Sequence, residues 1–373
     1  MSLKRVCIFT SGHRVLDARV FYRQAMSLAH NGYHVQIWGD HPKDEIIENI
    51  DIHAVPKFSN GLVGKISSSF RFFFHLYNVK ADIFHFHDPD LIFCGLLLRA
   101  IGKKVVMDVH EDFKLTIIKK RKKYPKHIGY CFAVFFDMVE KITAMLLSGV
   151  IVVSEEIARK FYFANVAVVR NFPIIDENSI SHDRSDQSFI VIYSGVIGES
   201  RGCWSILEGF SLFCRRFPNS KLRIMGRFES KDLELEFKNR AAEIGSVEIL
   251  GHLPWVEVKQ QQLKADVGLV ISFFQKDSNE KAYPVKLFEY LAAGLPVIIS
   301  RKRYWEHLLE EGKFGVMVDG KDFQEICDAL YWLATDKNAR VEMGLSGKKF
   351  AEHNFSWENE FNEMKVLYDG ILK

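Results

Sequence analysis

Short apolar runs alternate with helix-length segments along the whole chain, and this alternation limits the folds open to it. The first half of the chain holds six runs rich in Val, Ile and Phe, and the second half holds another six. Runs that are apolar on both faces are typical of parallel strands covered by helices on both sides. The sequence therefore predicts two doubly wound α/β domains. The predicted strands span residues 6–10, 35–39, 83–87, 105–109, 150–153 and 166–170, and then 189–193, 222–225, 247–250, 267–271, 296–299 and 315–318.

A polar stretch separates the two series of strands. Residues 176–188 carry neither strand nor helix periodicity, and Pro173 just before them disfavours regular structure. We expect a first domain over residues 1–175, a linker over 176–188 and a second domain over 189–355, in agreement with a length of 373 residues. The remaining segment, 356–373, has apolar residues at helical spacing and predicts an amphipathic terminal helix.

The composition excludes several classes of protein. Apolar residues make up 48% and charged residues 26%, which is typical of a folded chain rather than a disordered or collagen-like one. The six cysteines are scattered, without the spacing of a zinc site, and favour a reducing compartment. We see no pattern of a secretory signal, and no apolar stretch reaches the roughly 18 residues that a transmembrane helix needs. These features predict a cytoplasmic protein.

Positive charge is concentrated in the first domain, where residues 1–175 contain 24 Lys and Arg against 16 Asp and Glu. A basic segment followed by aromatic residues is typical of contact with an anionic membrane surface. The alternative is a solvated loop beside an ordinary buried helix. Nucleic acid is not expected as a partner, because the second domain is acidic and carries no recognisable nucleic-acid-binding pattern. The basic segment contains Lys119, Lys120, Arg121, Lys122 and Lys123.

Residues 283–300 have the pattern of a helix followed by a buried strand. Pro284 is expected at the first helical position, with a glycine at the end of the helix. The amides of Val285 and Lys286 would then point out of the positive helix end, and Lys286 adds a full charge, so a diphosphate could dock there. Glu289 lies one turn further on the same face, where its carboxylate can accept hydroxyls of a ribose or sugar. The alternative is a surface Lys/Glu pair on a helix.

This segment resembles the donor-site signature of family 4 glycosyltransferases of the GT-B fold, in the subgroup that reads K-L-F-E-Y followed by A-x-G-x-P-V-I. These letters stand at residues 286–290 and 292–298. The resemblance extends to D-A-R-V-F at 17–21, H-F-H-D-P-D at 85–90 and K-K-V-V-M-D-V-H-E-D at 103–112. It implies two Rossmann-like domains that face a central cleft, with the terminal helix crossing back to the first domain.

The resemblance also implies an activity. The enzyme would be a hexosyltransferase-type glycosyltransferase that retains the anomeric configuration and needs neither a metal nor a separate cofactor. Its donor would be a nucleoside diphosphate sugar held by the second domain. Its acceptor would be a glycan or a lipid-linked molecule of cell-surface polysaccharide synthesis, reached at the cytoplasmic face of the membrane. Two alternatives remain open, a GT-B nucleotide-sugar epimerase and a catalytically silent nucleotide-sugar-binding partner of a glycan assembly complex.

The family's motifs assign roles to individual residues. His110, at the end of a predicted strand, matches the histidine that approaches the donor sugar. Arg201 ends a loop of the form G-x5-[RK]-G that begins at Gly195, and it would neutralise the leaving diphosphate. Gly12 belongs to the first-domain loop whose backbone approaches the donor phosphates. The predicted donor-binding residues are Gly12, Gly195, Arg201, Val285, Lys286, Leu287 and Glu289, and the predicted catalytic residues are His110, Arg201 and Lys286.

Two acidic patterns bear on sugar and metal binding. Many family members carry E-x7-E, whereas this chain has Lys281 at the first glutamate's position and Glu280 beside it. The donor sugar is therefore not readable from this pattern. Residues 88–90 read D-P-D, which copies the metal motif of a different glycosyltransferase fold, but the proline indicates a structural turn and no metal site is expected. His85 and His87 alternate on one strand and are predicted to pack or to support neighbouring groups.

Overall fold

The computed structural model describes residues 3–56, 62–120, 126–176, 188–273 and 284–373. The chain divides into two compact units. Unit 1 comprises Met1–Asn171 together with Trp357–Lys373, and unit 2 comprises Phe172–Ser356. Each unit is built around one sheet.

The sheet of unit 1 has eight strands. They are β1 (Arg5–Arg14), β2 (His34–Asp40), β3 (Glu45–Ile47), β4 (Ile50–Ala54), β5 (Ile83–Phe86), β6 (Val105–Val109), β7 (Gly149–Val152) and β8 (Val166–Val168). Their order is β3-β4-β2-β1-β5-β6-β7-β8. Every neighbouring pair is parallel except β3 and β4. The six strands predicted for this region are confirmed.

The hairpin of β3 and β4 was not predicted from the sequence. The two strands are joined at Glu48 and Asn49, which have φ values of 49° and 60°. Two successive left-handed residues are typical of the tight turn that matches the twist of a hairpin. The apolar run in β3 is too short to show a strand period by itself, so this hairpin depends on β4 pairing with β2.

Helices connect and cover the strands of unit 1. They are a π-helical segment (Ala18–Ala25), α1 (Met26–His30), α2 (Leu62–Leu76), a 3-10 turn (Pro89–Leu91), α3 (Ile92–Ala100), α4 (Phe113–Lys120), α5 (Lys126–Leu146), α6 (Glu155–Lys160) and the terminal helix α14 (Trp357–Leu372). In the described part of the chain, no helix combines the length and apolar character needed to cross a bilayer.

The terminal helix α14 belongs to unit 1, as the resemblance implied. Trp357 donates a hydrogen bond of 2.8 Å from its indole N–H to the hydroxyl of Ser27. At the other end, the hydroxyl of Tyr368 lies 2.7 Å from Nδ1 of His85, and both side chains are buried. The apolar spacing of this helix is therefore explained by burial against the first unit.

The sheet of unit 2 has six parallel strands in the order β11-β10-β9-β12-β13-β14. They are β9 (Phe189–Ser194), β10 (Ser220–Met225), β11 (Val247–Gly251), β12 (Val267–Val270), β13 (Val297–Ser300) and β14 (Gly315–Val318). The six predicted strands are confirmed here as well. The helices are α7 (Cys203–Arg216), α8 (Lys231–Ile244), α9 (Trp255–Leu263), α10 (Val285–Ala292), α11 (Arg303–Gly312), α12 (Phe323–Thr335) and α13 (Lys337–Asn354), with a 3-10 turn at Glu199–Arg201.

Strand β9 shows why both faces of this sheet are apolar. Val191 and Tyr193 belong to one buried cluster, while Ile190 and Ile192 belong to another. Successive side chains of a strand point to opposite faces, so the two clusters cover the two sides of the sheet. Burial on both faces requires apolar residues at successive positions, which explains the continuous apolar run in the sequence.

Candidate active site

Three glycine-containing chain segments meet where β9, β10 and β11 end. The N–H of Gly195 donates to the carbonyl of Met225 at 2.8 Å, and the N–H of Gly226 donates to the carbonyl of Gly251 at 2.7 Å. Gly226 has a φ of 144°, and a Cβ at this position would overlap the carbonyl oxygen of Gly195. Only glycine permits this approach. Doubly wound sheets bind their ligands at this carboxyl edge.

Lys286 of α10 reaches the loop that follows β9. Its Nζ lies 3.2 Å from the place that a Cβ of Gly195 would occupy and 3.5 Å from the centroid of the Tyr193 ring. Burial, reinforced by the guanidinium of Arg201, lowers the pKa of Lys286 well below its usual 10.5, although Glu289 opposes this shift. A buried ammonium that interacts with a second cation favours an anion as its ligand.

Helix α10 positions Lys286 by anchoring its opposite face in the core. Leu287 and Tyr290 are fully buried. The hydroxyl of Tyr290 accepts a hydrogen bond of 2.8 Å from the N–H of Ser194, the last residue of β9. Glu289 is half-buried, one turn after Lys286. The helix is thus fixed directly to the end of β9.

The first turn of α10 begins one residue later than predicted. Pro284 is the N-cap, with a φ of −70° and a ψ of 112°, and the helix starts at Val285. The amides of Val285 and Lys286 belong to the first turn, where an α-helix has no carbonyl of its own to accept them. The N–H of Leu287 already donates to the carbonyl of Pro284 at 2.8 Å, and its side chain is buried in the core.

Arg201 ends the 3-10 turn between β9 and α7. Its N–H donates to the carbonyl of Gly198 at 3.0 Å, and Gly202 follows with a φ of 67°. The segment that follows β12 stabilises this turn, because the N–H of Phe273 donates to the carbonyl of Ser200 at 2.8 Å. The predicted glycine loop is therefore an ordered turn that places Arg201 within electrostatic range of Lys286.

Sequence reasoning missed Glu229 in this region. The loop that contains it lies along the glycine loop, since its N–H donates to the carbonyl of Ile197 at 3.0 Å. A Cβ at Gly198 would overlap the carboxylate of Glu229. No local pattern marks this residue, because the pairing of the two loops is tertiary.

A buried polar cluster in unit 1 is centred on Asp108 of β6. Arg19 donates two hydrogen bonds of 3.0 Å to its carboxylate, and Gln24 donates one of 2.7 Å. Burial acts to raise the pKa of Asp108, but Arg19 and the neighbouring histidines outweigh it and hold the pKa well below its usual range. The carboxylate is therefore ionised inside the fold.

Three histidines surround Asp108. His85, His87 and His110 each place a ring nitrogen 3.5 to 3.6 Å from a carboxylate oxygen. Nδ1 of His87 also lies 3.0 Å from Nε2 of His110. Burial lowers the pKa of His110 to about 4, with Arg19 adding to the shift and Asp108 opposing it. His110 is therefore a neutral imidazole at neutral pH.

The distances would allow a metal ion among His85, His87 and Asp108, whose candidate ligand atoms lie within 4.8 Å of one another. The charge balance does not favour one, because the guanidinium of Arg19 already pairs with both oxygens of Asp108. His85 also shares a hydrogen bond with Tyr368. The geometry therefore assigns His85 and His87 to a hydrogen-bonded cluster that supports His110.

Asp88 organises the end of β1 beside this cluster. It accepts hydrogen bonds from the hydroxyl of Thr10 at 2.6 Å and from the N–H of Gly12 at 3.0 Å. A Cβ at Gly12 would lie 2.7 Å from Asp88, so the carboxylate itself requires a glycine here. Nδ1 of His13 lies 3.0 Å from Asp88, and its ring centroid is 4.8 Å from that of His110. Burial opposes protonation of His13, but Asp88 outweighs it and raises the pKa.

The structure groups the predicted residues by unit. Gly195, Arg201 and Lys286 come together in unit 2, with Glu289 on the same helix, whereas Gly12 and His110 lie in unit 1. Helix α4 ends at Lys120, which leaves part of the basic segment without a description. The predicted residues outside the described residues are Arg121, Lys122, Lys123, Glu280 and Lys281.

Comparison with protein families shows which family this chain belongs to. A family model described as "Glycosyltransferase Family 4" matches residues 18–170, and one described as "Glycosyl transferases group 1" matches residues 174–350. Together they cover most of the chain. The chain belongs to glycosyltransferase family 4. Both motif-bearing regions of this glycosyltransferase, around His110 and around Lys286, lie within the matched segments.

Curated relatives of this glycosyltransferase are distant. The capsular polysaccharide biosynthesis glycosyltransferase CapM of Staphylococcus aureus is 21% identical over 269 residues, which is 66% of this chain and 67% of CapM. A D-inositol 3-phosphate glycosyltransferase of Corynebacterium urealyticum is 27% identical over 189 residues, 49% of this chain and 43% of that protein. The matched part thus spans less than half the length of this second relative.

Solved structures establish the fold of this glycosyltransferase. Sucrose-phosphate synthase from Thermosynechococcus elongatus aligns with a TM-score of 0.69 at 15% identity, over 99% of each chain. WaaG, a glycosyltransferase of lipopolysaccharide biosynthesis, aligns with a TM-score of 0.66 at 14% identity, also over 99% of each chain. Anabaena HepE in complex with UDP aligns with a TM-score of 0.66 at 13% identity, over 99% of this chain and 100% of that one. The predicted GT-B fold is confirmed.

Proposed function

We propose that this family 4 glycosyltransferase is a retaining enzyme that moves a hexose from a nucleoside diphosphate sugar to a glycan or lipid-linked acceptor of cell-surface polysaccharide synthesis. One observation carries the proposal. Lys286 packs against Tyr193 and Gly195, and its pKa is lowered by burial of its ammonium and by Arg201. Two cations held at the carboxyl edge of a doubly wound sheet match the charge of a diphosphate.

The chemistry of transfer explains why cations are useful here. When the nucleoside diphosphate departs, negative charge develops on its β-phosphate, and preorganised donors aimed at that charge lower the barrier. Lys286 and Arg201 supply the charge, and the first-turn amides of Val285 and Lys286 add donors at the positive end of α10. Glu289 is assigned to the hydroxyls of the ribose. No metal is needed for this neutralisation.

His110 is assigned to the transferred sugar. Because its imidazole is neutral and hydrogen-bonded to His87, it can donate or accept a hydrogen bond without adding charge. Gly12 is assigned to the loop whose backbone approaches the donor phosphates. The nature of the donor is supported by HepE, whose structure contains UDP, and that of the acceptor by CapM, which acts in capsular polysaccharide biosynthesis.

A binding and turnover experiment tests this proposal. Purified protein is screened for thermal stabilisation by UDP-, GDP-, dTDP- and CMP-sugars, since a ligand that binds only the folded state raises the midpoint. Lys286→Ala should abolish the shift, whereas Lys349→Ala, on the exposed face of α13, should leave it unchanged. The same proteins are then assayed for nucleotide release with a lipid-linked acceptor.

The outcomes separate the proposal from its alternatives. Acceptor-dependent nucleotide release with retained anomeric configuration supports a transferase. Donor conversion without acceptor would identify an epimerase, and a thermal shift without any nucleotide release would identify a silent binding partner. If no nucleotide sugar shifts the midpoint, or if Lys286→Ala binds like the wild type, the donor site is wrongly assigned.

A further inference from the structure

Four helices of unit 1 form what we call the outer helical layer, made of α2, α3, α4 and α5. Helices α2, α3 and α5 pack side by side, and α4 packs on α5. Their inward faces share one buried cluster with the sheet, which includes Phe72 and Leu76 of α2, Leu98 of α3 and Ala144 of α5. Burial of the inward faces therefore explains why these helices pack on the sheet. It does not explain the residues of their outward faces.

The outward face of α5 is apolar from Tyr130 to Leu146. Its large exposed apolar side chains lie along one side of the helix, at Tyr130, Val134, Phe135, Met138, Ile142, Met145 and Leu146. Phe135 is 57% exposed and Met145 is 56% exposed. A contiguous set of large exposed apolar residues marks an interaction surface rather than an ordinary solvated face.

The neighbouring helices continue this apolar surface. Phe74 of α2 is 67% exposed, and Phe93 of α3 is 51% exposed. On α4, Leu115 and Ile118 are exposed as well. Aromatic and aliphatic side chains are therefore presented outward by all four helices of the layer.

The sequences of the outer helical layer carry mostly positive charge. The sequences of its four helices contain eight Lys and Arg but two carboxylates, Asp137 and Glu140. Both carboxylates are buried and pair with Lys160 of α6, at 2.9 Å and 2.6 Å. The acids of α5 are thus turned inward, whereas Arg71 of α2 and Arg99 of α3 are exposed, so the described side chains of the layer present apolar and basic groups outward.

We propose that the outer helical layer docks on the surface of an anionic lipid bilayer. Exposed aromatic and aliphatic groups can enter the boundary between headgroups and acyl chains, while lysines and arginines contact anionic headgroups. A second copy of this chain is a poorer occupant, because pairing two such layers would bring like charges together. The layer belongs to unit 1 and Lys286 to unit 2, and the two proposals are tested by different measurements, so they fail independently.

Vesicle sedimentation with the full chain tests this surface. The probes are vesicles of phosphatidylcholine alone and vesicles of phosphatidylcholine with phosphatidylglycerol. Wild type should sediment with the phosphatidylglycerol vesicles and be released as salt is raised, because screening weakens contacts to charged headgroups. The double substitution Phe135→Asp, Met138→Asp should lower the apparent association constant at least about tenfold, since two apolar anchors are replaced by charges that anionic lipid repels.

A matched control separates this effect from a general loss of solubility or fold. Val366 of α14 is 69% exposed and lies on a helix outside the layer, so Val366→Asp should sediment like wild type. Because all three positions are exposed, each variant should keep the thermal midpoint of the wild type, which is measured in parallel.

The proposal is overturned by any of three results. Wild type could remain in the supernatant, or it could bind phosphatidylcholine alone as well as the anionic vesicles. The Asp variants could sediment as wild type does. Finally, sedimentation equilibrium without lipid could show a dimer that the double variant dissociates, which would assign the layer to a second copy of the chain.

Discussion

The guanidinium of Arg19 forms two hydrogen bonds of 3.0 Å with the carboxylate of Asp108, across 89 positions of sequence. The same guanidinium donates to the carbonyl of Val169 and to the side chain of Asn171, each at 2.9 Å. One buried side chain thus ties the start of the π-helical segment to the ends of β6 and β8. His110, two residues after Asp108, is held in place by this connection.

Replacing Arg19 by Lys should destabilise unit 1. A lysine keeps the charge but cannot form two parallel bonds to the carboxylate, and it leaves buried acceptors without a donor. We expect the free energy of unfolding to fall by about 1–3 kcal/mol, measured by urea denaturation. Arg14→Lys, at an exposed position of β1, is the control and should change it little. Equal effects of the two substitutions would contradict the role assigned to Arg19.

The stability of unit 1 should depend on pH through His110. Its folded-state pKa of about 4 lies below the ordinary 6.5, so between these values the unfolded chain binds a proton that the folded chain does not. The contribution of His110 to the free energy of unfolding should therefore rise with pH across this window, by at most about 3 kcal/mol, and be lost as pH falls to about 4. Glu140, whose pKa burial raises to about 7, contributes with the opposite sign, so the effect of His110 is read from the difference between variants. The pKa of His87 is also lowered and adds to the same trend.

The check is the slope of unfolding free energy against pH. His110→Gln should flatten it, while His307→Gln, at a side chain that is 83% exposed in unit 2, should not. His13 has a raised pKa, so its contribution is present below pH 6.5 and declines above that value, outside the window. A slope that is the same in His110→Gln and wild type would show that His110 is not buried as described.

Nucleotide binding should be coupled to protonation of Lys286. The pKa of Lys286 is lowered by burial and by Arg201, and a diphosphate bound beside both cations would raise it again. UDP affinity should therefore fall as pH rises through this lowered pKa, and binding in that range should take up protons. Calorimetry in two buffers of different ionisation enthalpy measures the uptake.

Lys286→Arg is the matched variant for this coupling. Arginine keeps its charge over the whole range, so UDP should bind without proton uptake and with little dependence on pH. Proton release on binding, or the same uptake in wild type and in Lys286→Arg, would show that Lys286 does not meet the phosphates.

Gly226→Ala should disrupt the carboxyl edge of the second sheet. The new Cβ would overlap the carbonyl oxygen of Gly195, in addition to the strain of a φ of 144°. Gly245→Ala is a matched control, because Gly245 also has a positive φ of 79° but nothing within 4 Å of its Cβ position. In both variants backbone strain should lower the free energy of unfolding by about 1 kcal/mol. Only Gly226→Ala should also lose the thermal stabilisation by UDP. If Gly226→Ala still bound UDP, Gly195 would not be part of the donor site.

The strands were predictable because their signal is local. All twelve predicted strands are present, with their boundaries shifted by a few residues. Each lies in a sheet covered on both faces, so burial imposes a continuous apolar run that can be read in the sequence. The hairpin at Glu48 and Asn49 lacks such a run, since its short strand lies at the sheet edge.

The terminal helix was predictable for a related reason. One face of a helix repeats every three or four residues, and the buried positions of Trp357, Phe361, Met364 and Tyr368 follow that period. The spacing indicates a buried face but not its partner. That Tyr368 meets His85 is decided by the fold.

The sequence by itself determined which segments become strands and helices, and that Lys286 and Glu289 share one helix face, because these properties depend on neighbours a few residues apart. Tertiary structure decided that Arg19 pairs with Asp108, that Lys286 lies against Tyr193 and that Glu229 reaches the glycine loop. It also decided which side chains of α5 remain exposed. Such contacts, and the pKa shifts that burial produces, depend on how distant segments pack, and no local spacing records that packing.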